Sequence, residues 1–390
     1  MKLMVIGLGQ CGGRIADEFA RLGMKARIQR RINIITGAYA VNTDIADLTG
    51  LSTIKADYRH RILIGGQKTS GHGVGKINEL GAEIAREDSD KIIDATKASE
   101  LFPETDAFLL IAGAAGGTGS GAIPTVTQYL KERYIEKPIY NLIVLPFQHE
   151  EEIEGRTIYN SATCLKSAYL VADAIILIDN QRYIKKDTSI RSNLAQINAS
   201  IVEPFYNVLC TGEEKKSRYI GSRMLDAGDI IQTLSGWTIL GHGKSPIPRI
   251  KIFGEKGGFR DKASESQKGL EAMNKAIGEL SLQCKPADAG RGLYLLSAPP
   301  EEMDMNLIKE LGAYLKTIAQ DAVIRTGDYP REKGYFNVTV ILSELSNVLK
   351  ITDYFTKTIE FINALKKTKE GIEYEHKEIG EAFKDIPTLL

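Results

Sequence analysis

The sequence contains no CxxC pair, no HExxH, no GxxxxGK[ST] and no apolar run approaching the length of a membrane span. Each absence excludes something. The four cysteines, Cys11, Cys164, Cys210 and Cys284, lie far apart. They spell out neither a dithiol redox motif nor a cysteine-rich zinc site, and reduced thiols suit the expected cytoplasmic location. The five histidines have no metal-ligand spacing, and no residue is assigned to a metal. A spanning helix needs about 20 apolar residues, so no transmembrane segment is expected and any membrane attachment falls to unknown partners. The start, Met1-Lys-Leu-Met-Val-Ile-Gly7, enters a strand pattern at once, and no signal peptide is expected before the fold. Net charge is absent too: Lys plus Arg and Asp plus Glu each total 50. That balance argues against nucleic acid or an anionic membrane as the main partner, and it removes one barrier to self-association. A partial approach to GxxxxGK[ST] ends at Gly75-Lys76 and lacks both its first Gly and its final Ser/Thr.

What is present is an ordinary globular composition. The chain has 390 residues, 43% hydrophobic and 26% charged, which suits two domains. Through the first half, apolar runs fall at Leu3–Ile6, Ile34–Val41, Ile62–Ile64, Phe108–Ala112, Tyr140–Leu145 and Ala174–Ile178. Helical patterns such as Arg14–Leu22, Asn78–Arg86 and Ile158–Val171 alternate with them. This rhythm predicts an α/β fold, an open parallel sheet that binds its ligand beyond the carboxyl ends of the strands. A long helix is expected from Ser192 to Leu209, with a kink or early end at Pro204. Gly212–Ser217 reads as a hinge or surface loop, followed by a helix from Asp229 to Thr233 or beyond. A smaller α/β domain comes next, with strands at Ile250–Phe253, Gly292–Ser297 and Phe336–Leu342 and helices at Ala263–Leu280 and Asn306–Ala319. The charged tail from Tyr354 to Phe383 reads as helical. The expected division is 1–191, a central helix and connection at 192–217, a C-terminal α/β domain at 218–345 and a helical extension at 346–390.

Each unusual loop follows one of these strands. The strongest is Gly113-Ala-Ala-Gly-Gly-Thr-Gly-Ser-Gly-Ala122. Its glycines remove Cβ atoms where backbone amides must close around something. Thr118 and Ser120 add hydroxyls before a helix expected from Ile123 to Arg133, with Pro124 in its first turn. A helix N-terminus favours an anion, so Ala114, Ala115, Gly116, Gly117, Thr118, Gly119 and Ser120 form the candidate phosphate cradle. The first loop, Gly7-Leu-Gly9-Gln10-Cys11-Gly12-Gly13, is a GxGxxG compatible with a dinucleotide fold. That fold places an acidic residue about 20 residues on, whereas Asp44 comes later, in Asn42-Thr-Asp44. Taken alone, Asn42 and Asp44 read as a helix cap. The third loop, Gly65–Gly75, has five glycines in eleven residues and Asn78 opening the next helix. It reads as a surface loop or as a phosphate contact, with His72 a loop residue rather than a base. Asp226 and Asp229, three apart at a helix start, alone read as an N-cap with an acidic first turn.

The spelling Gly116-Gly-Thr-Gly-Ser-Gly121 resembles the signature loop of the tubulin and FtsZ superfamily of GTPases, and the remaining loops follow in family order over roughly residues 2 to 345. Gly9-Gln10-Cys11-Gly12 is similar to tubulin; Asn42-Thr-Asp44, the third loop and Arg291-Gly-Leu-Tyr-Leu-Leu296 resemble FtsZ. The mixture resembles the archaeal CetZ group, linked to cell shape more than to division. The resemblance implies a Rossmann-like parallel-sheet GTPase domain, a long central helix and a smaller α/β C-terminal domain. It implies GTP and GDP as ligands, with Mg²⁺ held mainly through phosphates and water. Their contacts would be Gly9, Gln10, Cys11, Gly12, Gly13, Asn42 and Asp44, the phosphate cradle, and Gly71, Gly73 and Gly75 near the γ-phosphate.

Pro146-Phe147 and Glu154-Gly155-Arg156 resemble the ribose loop, although Gln148–Ile153 departs from its pattern; Glu154 and Arg156 are carried over on that basis. Asn180 and Asn198 match base-reading positions, and Leu194 stands where the family stacks an aromatic. Met224-Leu-Asp226-Ala-Gly-Asp229 resembles the NxDxxD loop that one subunit inserts into its neighbour's site, with Met224 in place of Asn. Asp226 and Asp229 are thereby the catalytic candidates, polarising water or acting as general bases. The implied partner is another copy of the chain, joined head to tail into a filament. An FtsZ-type division GTPase and a non-polymerising nucleotide-binding protein remain as alternatives. A Rossmann oxidoreductase built on Gly7–Gly12 leaves Gly113–Gly121 and the two aspartates unexplained.

Overall fold

A computed structural model describes residues 1–184, 190–247, 259–331, 334–370 and 387–390. In chain order the strands are β1 (Leu3–Leu8), β2 (Ile35–Asn42), β3 (Arg61–Leu63), β4 (Ala107–Gly113), β5 (Ile139–Leu145), β6 (Ala174–Asp179), β7 (Gly236–Pro246), β8 (Ala289–Ser297), β9 (Val323–Asp328) and β10 (Tyr335–Leu345). The helices are α1 (Gly9–Arg30), α2 (Ile45–Thr49), α3 (Gly66–Thr69), α4 (Asn78–Glu87), α5 (Ser89–Lys97), α6 (Thr118–Arg133), α7 (Gln148–Ile153), α8 (Gly155–Val171), α9 (Ile190–Thr211), α10 (Ala227–Thr233), α11 (Phe259–Gly278), α12 (Met305–Ile318) and α13 (Leu349–Glu370). They gather into two compact units. The first contains Lys2–Met24, Ile35–Val202 and Val348–Leu390; the second contains Met1, Lys25–Ile34 and Glu203–Asn347.

The first unit is built on parallel strands in the order β3-β2-β1-β4-β5-β6. Nearly every residue of β1, β4, β5 and β6 is buried, as continuous apolar runs require when both faces of a sheet are covered. Because the strands are parallel, all six carboxyl ends share one edge. The helix after β4 begins at Thr118 rather than at Ile123, so Pro124 lies inside it and half of the expected glycine loop is helical. The reason is close packing. A Cβ at Gly121 would lie 2.0 Å from the Asn78 carbonyl oxygen on α4, so the helices touch backbone to backbone. At the far end of this unit's chain, α13 packs along α8.

In the second unit β10 runs antiparallel between β7 and β8, and β9 adds parallel to β8. Helix α11 packs on β7 and β10, and α12 on α11 and β9. The expected strand Ile250–Phe253 lies outside the described residues. Pro204 does not end its helix: α9 continues to Thr211, held by the buried side chains of Phe205, Tyr206, Val208, Leu209 and Cys210. The expected hinge or surface loop at 212–217 has exposed residues at 215–217 and is anchored at Glu214. Glu214 is buried and accepts from the Tyr329 hydroxyl at 2.9 Å. Arg30, 4% exposed, donates to that same hydroxyl at 2.6 Å and lies 4.2 Å from the Tyr206 ring centre. Its two terminal nitrogens donate to the Tyr329 hydroxyl and the Asn207 side-chain oxygen and its plane lies on the Tyr206 ring, which together offset much of the cost of burying the cation. Among the described residues no helix is long and apolar enough to cross a membrane.

Candidate functional site

The carboxyl edge of the parallel strands carries four loops that lock onto one another. Gly9 opens α1 with φ +69°, and a Cβ there would lie 2.8 Å from the amide nitrogen of Gly119. Only hydrogen fits between the first loop and the start of α6. Gln10 donates to Asp47 at 2.6 Å, and Asn42 donates to the other oxygen of the same carboxylate at 3.0 Å. Asp44 caps α2 by accepting from the Asp47 amide at 3.1 Å. Thr43 joins the second loop to the phosphate cradle through a 2.6 Å contact with the Thr118 hydroxyl. Its carbonyl accepts from the Gly73 amide at 3.1 Å, and the Ile45 amide donates to the Gly71 carbonyl at 3.1 Å. Asp44 and His72 thus pair like strand residues. Gly71 and Gly73 sit at φ +78° and +79°, a conformation that side chains rarely adopt.

One residue essential to this geometry escapes sequence reasoning. Asn160 of α8 is fully buried, and its side-chain amide donates to the carbonyls of Lys76 at 2.9 Å, Ala115 at 3.0 Å and Gly116 at 3.1 Å. A lone Asn inside a helical pattern gives no signal that it orients two glycine loops. By holding these carbonyls it fixes the peptide planes of the cradle. No side chain caps α6, so the amides of its first turn are offered to a ligand. Nothing lies within 4 Å of the Cβ positions of Gly75 or Gly116. The cradle is therefore open where a phosphate group would approach.

The other carried positions lie around the same edge. Cys11 stands beside Gly113, whose Cβ position is 3.5 Å from its sulfur. Burial, with Glu150 adding and Arg14 opposing, pushes the Cys11 thiol up to about 12. It is a neutral wall rather than a nucleophile. Glu154 leads into α8 and pairs with Lys76 at 2.5 Å, while Arg156 pairs with Glu79 and lies over the Tyr159 ring at 5.4 Å. The Lys76–Glu154 side chains are 49% and 43% exposed, and so exposed a pair is worth little and exchanges readily for another polar group. Asn180 opens a short 3₁₀ turn, Asn180–Tyr183, directly after β6. Leu194 and Asn198 are half-buried on α9 and share one helix face.

Asp226 and Asp229 belong to the second unit. There they form a capping box at the start of α10: the Asp229 amide donates to Asp226 Oδ1 at 2.8 Å, and the Asp226 amide to Asp229 Oδ2 at 3.4 Å. Arg325 lies 3.3 Å from Asp229 Oδ1. The cap role is thus what the single chain shows. The box engages only Oδ1 of the exposed Asp226, whereas both oxygens of Asp229 have contacts.

Parallel sheet and interlocked glycine loops together define the tubulin and FtsZ class: residues 2–186 match the Tubulin/FtsZ family GTPase domain, and residues 187–360 match the Tubulin-like CetZ C-terminal domain. The chain belongs to the CetZ group of that family. It is 32% identical over 386 residues to the tubulin-like protein CetZ1 of Haloferax volcanii, covering 95% of both chains. The GDP-bound monomer of that protein superposes with a TM-score of 0.79 at 31% identity, covering 93% of this chain and 100% of the other. The GTPgS-bound protofilament of Haloferax volcanii CetZ2 gives a TM-score of 0.79 at 25% identity, covering 94% and 100%.

Proposed function

We propose that the chain binds GTP at the loop-bearing edge of the parallel strands, assembles head to tail into filaments and hydrolyses GTP where two copies meet. The observation that carries this reading is the uncapped start of α6, set in four mutually bonded loops with open space at Gly75 and Gly116. In phosphoryl transfer the protein mainly positions groups and stabilises charge. The backbone amides of residues 116–120 and of the third loop suit the β- and γ-phosphates. Asn180 and Asn198 supply paired donors and acceptors for a guanine edge, with Leu194 covering the ring, and Glu154 and Arg156 serve the ribose. Among the described residues no cluster of His, Cys, Asp or Glu could hold a metal. Mg²⁺ would be held mainly through phosphate oxygens and water and would supply charge neutralisation.

Among the described residues, the carboxylates beside the loops are engaged in caps, hydrogen bonds or ion pairs. Asp44 caps α2, Asp47 holds Gln10 and Asn42, Glu79 pairs with Arg156 and Glu154 with Lys76. Asp226 and Asp229 of the next copy supply the carboxylate for the attacking water, with Asp226 the stronger candidate because its second oxygen lies outside the capping box. Exposed isoleucines on segments leaving β2, β3 and β5 favour contact with another copy: Ile45 is 51%, Ile77 45% and Ile153 81% exposed. The GTPgS-bound protofilament of the related Haloferax volcanii CetZ2 supports assembly of copies of the chain. Loss of γ-phosphate contacts in the third loop would loosen the joint after hydrolysis, which makes the filament nucleotide-timed and suits a role in cell shape. The test is the nucleotide released when the purified, GTP-equilibrated protein is denatured. Guanine nucleotide is expected; retention of NAD(P) instead would overturn the reading.

A further inference from the structure

Among the described residues helix α13 adds no side chain to the phosphate cradle, yet it is fastened to both segments assigned above to ribose and base. Lys350 places its ammonium 3.0 Å from Asp179 Oδ1 and 3.4 Å from Glu151 Oε1. Tyr354, 1% exposed, donates its hydroxyl to that Glu151 oxygen at 2.5 Å. Further along the helix, the Thr358 hydroxyl donates to the Ile158 carbonyl at 3.4 Å. The Phe361 ring comes within 2.9 Å of where a Cβ would stand on Gly155. The glycine in Glu154-Gly155-Arg156 is thus explained by close approach of α13.

The two carboxylates that Lys350 holds are themselves structural. Asp179 accepts from the Gln181 amide at 3.1 Å and so caps the turn that begins at Asn180. Glu151 belongs to α7, which leads into Glu154 and Arg156. Gln181 also accepts from the Gln148 amide at 3.2 Å, where α7 starts. A cleft of about 370 Å³ opens beside this junction, lined by Gln148, Glu151, Gln181, Lys350 and Lys357 among others. Without Lys350, two carboxylates that now lie within 3.4 Å of one ammonium would lose the cation they share. Asp179 is 8% exposed, so salt would screen their mutual repulsion poorly, and the two segments would separate.

We infer that Lys350, assisted by Tyr354, is a positioning group for nucleotide recognition. It sets the base turn at Asn180 and the ribose segment at Glu154–Arg156 in mutual register, so that α13 governs selectivity for both guanine and ribose. The inference rests on the nucleotide reading above. Its test is equilibrium binding of GTP, ATP and 2′-deoxy-GTP to the full chain and to its Lys350→Met, Lys350→Arg and Tyr354→Phe variants. Lys350→Met is expected to lose about tenfold in GTP affinity, as for loss of one charged hydrogen bond. Both preferences, GTP over ATP and GTP over 2′-deoxy-GTP, should narrow. Lys350→Arg, which keeps the cation, should restore them. Tyr354→Phe removes only the bond to Glu151; it should narrow the ribose preference and leave the base preference intact. Parallel loss for all three nucleotides, or no change, would show that α13 merely packs and would overturn the inference alone. Failure of the unaltered chain to bind any of the three would overturn the nucleotide reading as well.

Discussion

The two units use their backbones in opposite ways. In the first, parallel strands deliver four loops to one edge, and the proposed recognition surface is largely main chain: amides, carbonyls and positions where only hydrogen fits. In the second, a mixed sheet carries side-chain chemistry instead: a capping box of two aspartates and a buried knot of Arg30, Tyr329 and Glu214. One unit offers an anion cradle whose nearby carboxylates are occupied. The other offers an exposed carboxylate with no cradle around it. On the proposed reading hydrolysis can therefore be broken without binding, whereas loss of the cradle removes both.

The largest separation is expected from Asp226→Asn. Asparagine caps a helix about as well as aspartate, so α10 should survive, while loss of the charge should slow GTP turnover by at least about 100-fold. GTP affinity should stay unchanged. Unaltered turnover would leave Asp226 only its cap. Next comes Asn160→Ala, which removes the side-chain amide that bonds one carbonyl of the third loop and two of the cradle. It should cost about 2–3 kcal/mol of stability by the penalty for unsatisfied buried groups and weaken GTP binding, read by thermal unfolding and nucleotide titration. Its counterpart in the second unit is Arg30→Met. A similar loss of about 2–3 kcal/mol is expected from hydrogen bonds to a buried charge, yet GTP affinity should hold. Equal damage to binding from both variants would erase the contrast between the units. Asn198→Ala should narrow the preference for GTP over ATP by about tenfold, the value of one good hydrogen bond to a base edge. Smallest is a chemical test: the half-buried Cys11, with its thiol pushed up to about 12, should be alkylated by iodoacetamide at pH 8 much more slowly in the folded than in the unfolded chain. Prompt labelling would mean that the first loop is more open than its packing against Gly113.

The first unit was legible because parallel strands buried on both faces must be apolar throughout, and all six runs are strands. Boundaries shifted where glycines looked like loop but serve packing: α1 begins at Gly9 rather than Arg14, and α6 at Thr118. The second unit hid two strands for physical reasons. In β7 the glycines at 241 and 243 break the strand pattern, yet they are what lets α11 lie directly on it. A Cβ at Gly241 would meet the Ala276 carbonyl oxygen at 2.0 Å. β9 is the last strand of its sheet, with Val323 62% exposed, and its polar residues mask a strand pattern. At the site, motif spelling located the loops but not what orients them. Asn160, Asp179 and Lys350 are single polar residues inside or beside regular elements, and their roles exist only once distant segments meet.

The central claim is that a working site needs carboxylates from a second copy. Two variants can test it when mixed. One lacks the carboxylates (Asp226→Ala with Asp229→Ala) but keeps the loops. The other carries Gly119→Val, where a Cβ would meet the Leu8 carbonyl oxygen at 2.7 Å, so it loses the cradle and keeps the carboxylates. Each alone should be inactive, and mixing them should restore GTP turnover that rises steeply with total protein concentration. If the mixture stays inactive while both variants remain folded and the first still binds GTP, the site is not shared between copies and the account is contradicted.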